Sequence, residues 1–142
     1  MIYQLDSDTY SHAYDGRHQL RERIDAVRSR GDEVMISVMT RVEALRPRFE
    51  NIQKSATAAE LVIALERLAR TEAFLGVFGI LDFNPVAVAL FDRFRTDSRF
   101  RHSKRGDLLS ACIALGNGAR FVTRNTKDFQ LYPGLVVENW ID

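Results

Sequence analysis

Cysteine is nearly missing from this chain: Cys112 stands alone, so no internal disulfide can form. It lies inside an apolar helical pattern and reads as a buried free thiol in a reducing cytoplasm, not as a nucleophile or ligand. Long hydrophobic runs are absent as well, and none approaches the ~20 residues that a membrane-crossing helix needs. No basic segment leads into an apolar stretch at the start, so no secretory leader is expected. Neither Cys-x-x-Cys nor His-Glu-x-x-His spacing occurs, which leaves the common zinc frameworks without ligands. The three histidines are scattered: His12 and His18 read as surface residues, and His102 falls in a basic connection. Charge of one sign is not in excess either, since 20 Lys and Arg face 19 Asp and Glu for a net charge of +1. Any contact with a polyanion must therefore use local patches.

What is present suits one α/β domain over residues 1–142, long enough to bury a sizeable core. Nine Phe residues fall mostly in apolar patterns and belong to that core. Ile2-Tyr3-Gln4-Leu5 reads as a strand that stops at the turn Asp6-Ser7-Asp8. Leu20, Ile24 and Val27 recur at helical spacing, Gly31-Asp32 closes that helix, and residues 34–38 read as a second strand. Thr40 to about Asn51 is expected to be helical, with Pro47 ending or kinking it. Leu61, Leu65 and Leu68 predict a further amphipathic helix running toward Phe74. Residues 79–83 read as a brief strand, and Pro85 starts a helix with Val86, Leu90 and Phe94 on one face. Arg99 to Gly106 reads as an exposed basic connection. Leu108, Cys112 and Leu115 mark a helix ended by Asn117-Gly118, and residues 120–123 and 135–138 complete the strands. Short apolar strands alternating with helices predict a three-layer α/β sandwich around a mostly parallel sheet of four to five strands.

Carboxylates stand where these elements meet. Asp6 follows the first strand, and Glu43 lies about a turn into the helix after the second. Asp107 opens the helix before the fourth strand, with Asn125 and Asp128 just beyond it. In parallel α/β sheets ligands gather outside the carboxyl ends of the strands, so these groups could converge on one crevice. Ionised and unpaired they would repel, and a bound cation would relieve that repulsion. An all-oxygen set suits Mg²⁺ or Mn²⁺, and such an ion can promote hydrolysis of a phosphodiester. Each acid also has a plainer role open to it. Asp6 could cap a helix, Thr40-Arg41-Val42-Glu43 fits a capping box, Asp107 could answer a helix dipole, and Asp128 could be a turn residue.

Taken in order, these blocks resemble the PIN-domain ribonucleases, in particular the VapC-type toxins of bacterial toxin–antitoxin pairs. The matching segments are Leu5-Asp6-Ser7-Asp8, Ser37-Val38-Met39-Thr40-Arg41-Val42-Glu43, Asp107 at its helix start, residues 122–129, Pro133-Gly134-Leu135 and Trp140. They span nearly the whole chain. The resemblance implies a PIN-like fold, endonucleolytic cleavage of tRNA- or rRNA-class RNA, and neutralisation by a VapB-type antitoxin. It also implies a homodimer. Asp6, Glu43 and Asp107 would be the acids holding Mg²⁺ or Mn²⁺, with Asn125 at a position where many relatives carry a fourth acid and Asp128 nearby. Asp8 stands where Asn is usual, and Ala44-Leu45-Arg46-Pro47 replaces a turn that commonly contains glycine.

Supporting roles follow from placement. Ser37 or Thr40 would hydrogen-bond a carboxylate or the scissile phosphate, and Thr123 would orient Asp6. Arg101, Lys104, Arg105 and Arg124 are the candidates to hold the RNA backbone. Two other readings stay open. Asp6-Ser7-Asp8-Thr9 matches the Asp-x-Asp-x-Thr nucleophile motif of haloacid-dehalogenase-like phosphatases. Asn125 in place of an acid is also compatible with a PIN-like domain that binds RNA or a partner protein without cutting.

Overall fold

A computed structural model describes residues 1–142. The strands are β1 (Ile2–Leu5), β2 (Glu33–Ser37), β3 (Gly79–Leu81), β4 (Ala119–Val122) and β5 (Val137–Glu138). The helices are α1 (Ser7–Tyr14), α2 (His18–Ser29), α3 (Val38–Lys54), α4 (Ala58–Leu75), α5 (Pro85–Arg95), α6 (Arg105–Gly116) and the short α7 (Thr126–Phe129). All five strands join one sheet in the order β3-β2-β1-β4-β5, and every pairing is parallel. β1 is the centre: Leu5 sits level with Ile36 of β2 on one side and Val122 of β4 on the other. The chain moves outward from β1 in both directions, so the crevice between the carboxyl ends of β1 and β4 is the topological switch point.

Alternation along the strands divides the apolar residues between two faces. Tyr3, Leu5, Val34, Ile36 and Val122 join Leu20, Ile24, Val27, Phe78 and Trp140 in one core. Phe121 turns to the other face and packs with Phe94, Phe100, Ile113, Phe129 and Tyr132. The sheet is thereby sandwiched between two helical layers, as the sequence predicts. No helix is long and apolar enough to cross a membrane.

Several elements differ from expectation for local reasons. The turn after β1 is itself a helix, because the Asp6 side chain accepts from the Thr9 backbone N–H and starts α1 at once. β2 ends at Ser37, not Val38, since Ser37 accepts from the Thr40 N–H and begins α3. The helix then passes through Pro47 to Lys54. Proline cannot donate to the Glu43 carbonyl four residues back, yet the turns on either side persist. β4 lies one residue earlier than read from sequence, and β3 and β5 are shorter.

The leucine stripe of α4 does not face the core. Leu61 and Leu65 are 38% and 48% exposed, and Ala64, Thr71 and Leu75 turn inward instead. On α5, Ala87 and Phe94 are buried while Val86 is 57% exposed. Residues 99–106 are more ordered than an exposed connection. A 3-10 turn at Ser98–Phe100 buries Phe100, whose ring stacks on Tyr132 with centroids 4.9 Å apart. α5 and α6 approach closely at Gly116, where a β-carbon would lie 2.7 Å from the Ala87 nitrogen. Asn84 ties that contact, accepting from Ala87 N–H and donating to the Gly116 carbonyl, both at 2.9 Å.

Cys112 sits in the centre of α6 with no exposed surface, and burial pushes its thiol up to about 11. A maleimide at pH 8 should therefore leave the native protein unmodified and label Cys112 fully in denaturant. Native-state labelling at the denatured rate would contradict this packing.

Candidate active site

The site grows from the seam between β1 and β4. The Asp6 backbone N–H donates to the Val122 carbonyl at 2.9 Å, extending the strand pairing by one residue. This places the Asp6 side chain at the open end of the crevice. Its Oδ1 accepts from Thr9 N–H at 2.8 Å and its Oδ2 from Thr123 Oγ1 at 2.5 Å. Thr123 is fully buried and also accepts from the Asn125 N–H at 3.0 Å, so one hydroxyl fixes both the carboxylate and the turn after β4. Asp6 thus caps α1 and points into the cleft at the same time.

Two further acids arrive on helices. Glu43 extends from α3, and Asp107 from the first turn of α6. A cleft of about 330 Å³ is lined by both together with Asp6, Asp8, Lys104 and Asn125. Gly106 lies beside Glu43: a β-carbon there would be 3.4 Å from Glu43 Oε1, an ordinary contact. The capping-box role for Glu43 is excluded: α3 starts at Val38, two residues before Thr40, and Ser37 is its cap.

Electrostatics mark the cleft. Burial raises the Asp6 carboxyl above its usual range, against the hydrogen bonds from Thr123 and Thr9, and nearby Asp8 adds repulsion. Asp107 is raised first by burial and then by Asp128, Glu43 and Asp6, while Lys104 opposes the shift. Both acids thus carry a cost when ionised.

The other residues named from sequence are placed unequally. Ser37 and Thr40 are buried and committed elsewhere, Ser37 to the α3 cap and Thr40 Oγ1 to Ser7 Oγ at 3.0 Å. Neither touches a carboxylate nor lines the acidic cleft. Asn125 is exposed and donates to Asp128 Oδ2 at 2.8 Å, so the amide holds the acid. Asp128 lines an adjoining cleft of about 210 Å³ with Asp107, Lys104 and His102. Arg124 reaches the acidic cleft but also pairs with Asp142 at 3.3 Å. Arg101 and Arg105 do not line it: they border an apolar groove with Phe83, Phe91 and Leu109. Asp8 is near His12, at 3.5 Å. The Asp6-Ser7-Asp8-Thr9 spacing therefore has a structural origin, in that Thr9 supplies the N–H that Asp6 caps. Ser7 and Ser110, which also line the cleft, were missed because single serines carry no sequence signal.

A divalent cation suits this site in chemistry more than in closeness. The donors are carboxylate oxygens whose repulsion a cation would relieve. Yet no three acidic, His or Cys side chains are drawn together tightly enough to hold an ion as they stand.

A five-stranded parallel sheet with acids at its switch point defines the chain as a PIN-like α/β domain. No protein-family model matches it. Ribonuclease VapC2 from Rickettsia felis is 26% identical over 142 residues, covering 99% of this chain and 98% of that protein. The fold is shared with VapBC2 from Rickettsia felis bound to a DNA fragment from their promoter, at TM-score 0.79 and 23% identity over 99% of both chains. It is shared with DNA-bound VapBC from Salmonella typhimurium, at 0.77 and 24% over 99% of both chains. VapBC-1 from nontypeable Haemophilus influenzae gives 0.76 and 22% over the whole of both chains. The chain is thus similar over its whole length to a VapC-type ribonuclease and shares the PIN-like fold of the VapBC structures.

The raised Asp107 carboxyl has a sign that can be checked. At low pH the group is protonated in folded and unfolded chains alike, and its burial costs little. The cost appears as pH rises from the ordinary carboxylate range through the higher folded value, and is complete at neutral pH. In EDTA at pH 7.5, Asp107→Asn should therefore melt a few degrees higher than wild type, with the gain vanishing below the carboxylate range. A variant that melts lower at pH 7.5 would contradict the repulsive environment.

Proposed function

We propose that this chain is a metal-dependent endoribonuclease toxin, cutting RNA of the tRNA or rRNA class and neutralised by a VapB-type antitoxin. One observation carries the reading: Asp6 is locked by Thr123 and Thr9 at the mouth of a cleft that Glu43 and Asp107 also line. The full-length similarity to Ribonuclease VapC2 supports the same chemistry. Asp6, Glu43 and Asp107 would be the residues to hold a Mg²⁺ or Mn²⁺ ion, which would supply positive charge for the phosphoryl oxygens and lower the pKa of water.

The chain's own residues prepare that chemistry. Thr123 and the Thr9 N–H each donate to one oxygen of Asp6, fixing its plane and favouring its charged form. Lys104 offsets the negative charge at Asp107 and offers a cation to a neighbouring phosphate. Asn125 holds Asp128 beside Asp107, where a carboxylate can accept a proton or hold a water.

The antitoxin assignment rests on the relatives, which form VapBC complexes. It also accounts for the apolar face of α4, where Leu61, Val62, Ile63 and Leu65 are exposed. The homodimer implied by the resemblance would cover a second such surface, around Phe83 and Val86.

Purified protein with Mn²⁺ should cleave total tRNA or rRNA into discrete fragments. Asp6→Ala, Glu43→Gln and Asp107→Asn should each abolish cleavage, whereas Thr123→Val should slow it roughly 10- to 100-fold as the support of Asp6 is lost. Intact RNA after incubation with the wild type, under conditions where Ribonuclease VapC2 cuts, would favour a binding-only protein. Equal cutting by the acid variants would place the reaction elsewhere.

A further inference from the structure

The acidic cleft is one stretch of a longer trough. Glu43 lines it and also lines a neighbouring cleft of about 260 Å³, walled by Tyr10, Tyr14, Pro47, Arg48 and Thr71. Arg48 in turn lines a third hollow of about 370 Å³ between α3 and α4, which holds Lys54 and Arg67. The one carboxylate there, Glu60, turns back to accept from the Ala56 N–H at 2.7 Å, just before the Thr57 cap of α4. Beyond Asp107, on the opposite side, the trough continues past Lys104 and His102. The hollow around Lys54 and Arg67 is mainly basic, while the clefts on either side of the acids are mixed, with Asp15 near Arg48 and Asp128 near Lys104.

Arg48 is built differently from the surface arginines. Its Nε donates to Thr71 Oγ1 at 3.0 Å, and Thr71 is 2% exposed, so a buried hydroxyl sets the plane of the guanidinium. Arg48 forms no ion pair and makes no other side-chain hydrogen bond, which leaves both terminal nitrogens free. By contrast Arg99 and Arg124 are held by Asp97 and Asp142. Beside it the Tyr10 ring is 4% exposed with a hydroxyl that has no partner. Burial pushes that phenol up to about 12, and Arg48 acts in the opposite direction, so the two groups share one field.

We propose that Arg48, set by Thr71, is a substrate-binding residue that grips an RNA phosphate on the Glu43 side of the scissile bond. A planar guanidinium with two free N–H edges matches phosphate in shape and charge. Arg48 follows Pro47 in the unbroken helix α3, within two turns of Glu43 on the same element. RNA entering from Lys54 and Arg67 meets Arg48 first, then the three acids, then Lys104. The proposal rests on the ribonuclease reading and adds a direction to the substrate path.

The test uses the full chain carrying Asp107→Asn, which blocks cutting, and a fluorescein-labelled single-stranded RNA of mixed sequence, roughly ten nucleotides long. Anisotropy is read in Mg²⁺ buffer over a range of salt. Adding Arg48→Ala should weaken binding about tenfold and make the slope of log affinity against log salt shallower by about 0.7, the share of one phosphate contact. Arg48→Lys should keep the slope and lose part of the affinity. Thr71→Val, which retains the charge but frees the guanidinium, should fall between and guards against misfolding of the alanine variant. Unchanged affinity and slope in Arg48→Ala, at wild-type melting temperature, would overturn the proposal. If the Asp107→Asn parent itself fails to bind RNA, the ribonuclease reading falls along with it. If wild type cuts and Arg48→Ala cuts with unchanged KM and kcat, only the subsite falls.

Discussion

Thr123 Oγ1 donates to Asp6 Oδ2 across the seam between the ends of β1 and β4, and the site depends on that contact. Leu5 pairs with Val122, the Asp6 N–H reaches the Val122 carbonyl, and the two chains then part into α1 and the turn toward α7. At the point of parting, the buried hydroxyl of Thr123 holds the first acid while accepting from the Asn125 N–H. The parallel sheet fixes which strand ends are neighbours. The threonine fixes the angle at which the carboxylate leaves them. Glu43 and Asp107 need only be delivered by helices that border the same opening.

The cleft is held together against its own charge. Asp6 and Asp107 both lie above the ordinary carboxylate range, because burial and neighbouring acids disfavour ionisation. Hydrogen bonds from Thr123 and Thr9 and the positive charge of Lys104 counter the cost without cancelling it. Such residual repulsion is a common price of function, and a bound cation is its natural remedy. The clefts on either side mix charge, with Arg48 in one that Asp15 also lines and Lys104 in one that Asp128 also lines. A phosphate chain approaching uncompensated carboxylates needs cations on either side, and Arg48 and Lys104 stand there.

Much of the fold was legible in the sequence because strand and helix periods are written in apolar spacing. The run Ile2-Tyr3-Gln4-Leu5 is a strand, the run at 120–123 is one shifted to 119–122, and Leu20, Ile24 and Val27 do face the core. The α4 stripe misled for a physical reason: periodicity reports an apolar face, not what covers it. Glu43 looked like a capping-box acid because Thr40 lies three residues before it, but Ser37 had already started the helix. For the acids, order along the chain was informative, since parallel strands bring their ends together. Arg48 was illegible because nothing in its neighbours in sequence announces Thr71 or the shared clefts. Arg101 and Arg105 erred in the opposite direction, being close to Asp107 in sequence but turned to another groove.

The central claim is that Asp6, Glu43 and Asp107 form one cation-holding centre at the β1–β4 switch point. Crystals soaked in Mn²⁺ and measured at the manganese absorption edge address it directly, because the anomalous signal locates the ion without assuming ligands. The expected result is a peak in the cleft within ligand distance of at least two of the three carboxylates, absent from Asp6→Ala crystals. A peak found only elsewhere, or one at the cleft that survives Asp6→Ala unchanged, would contradict it.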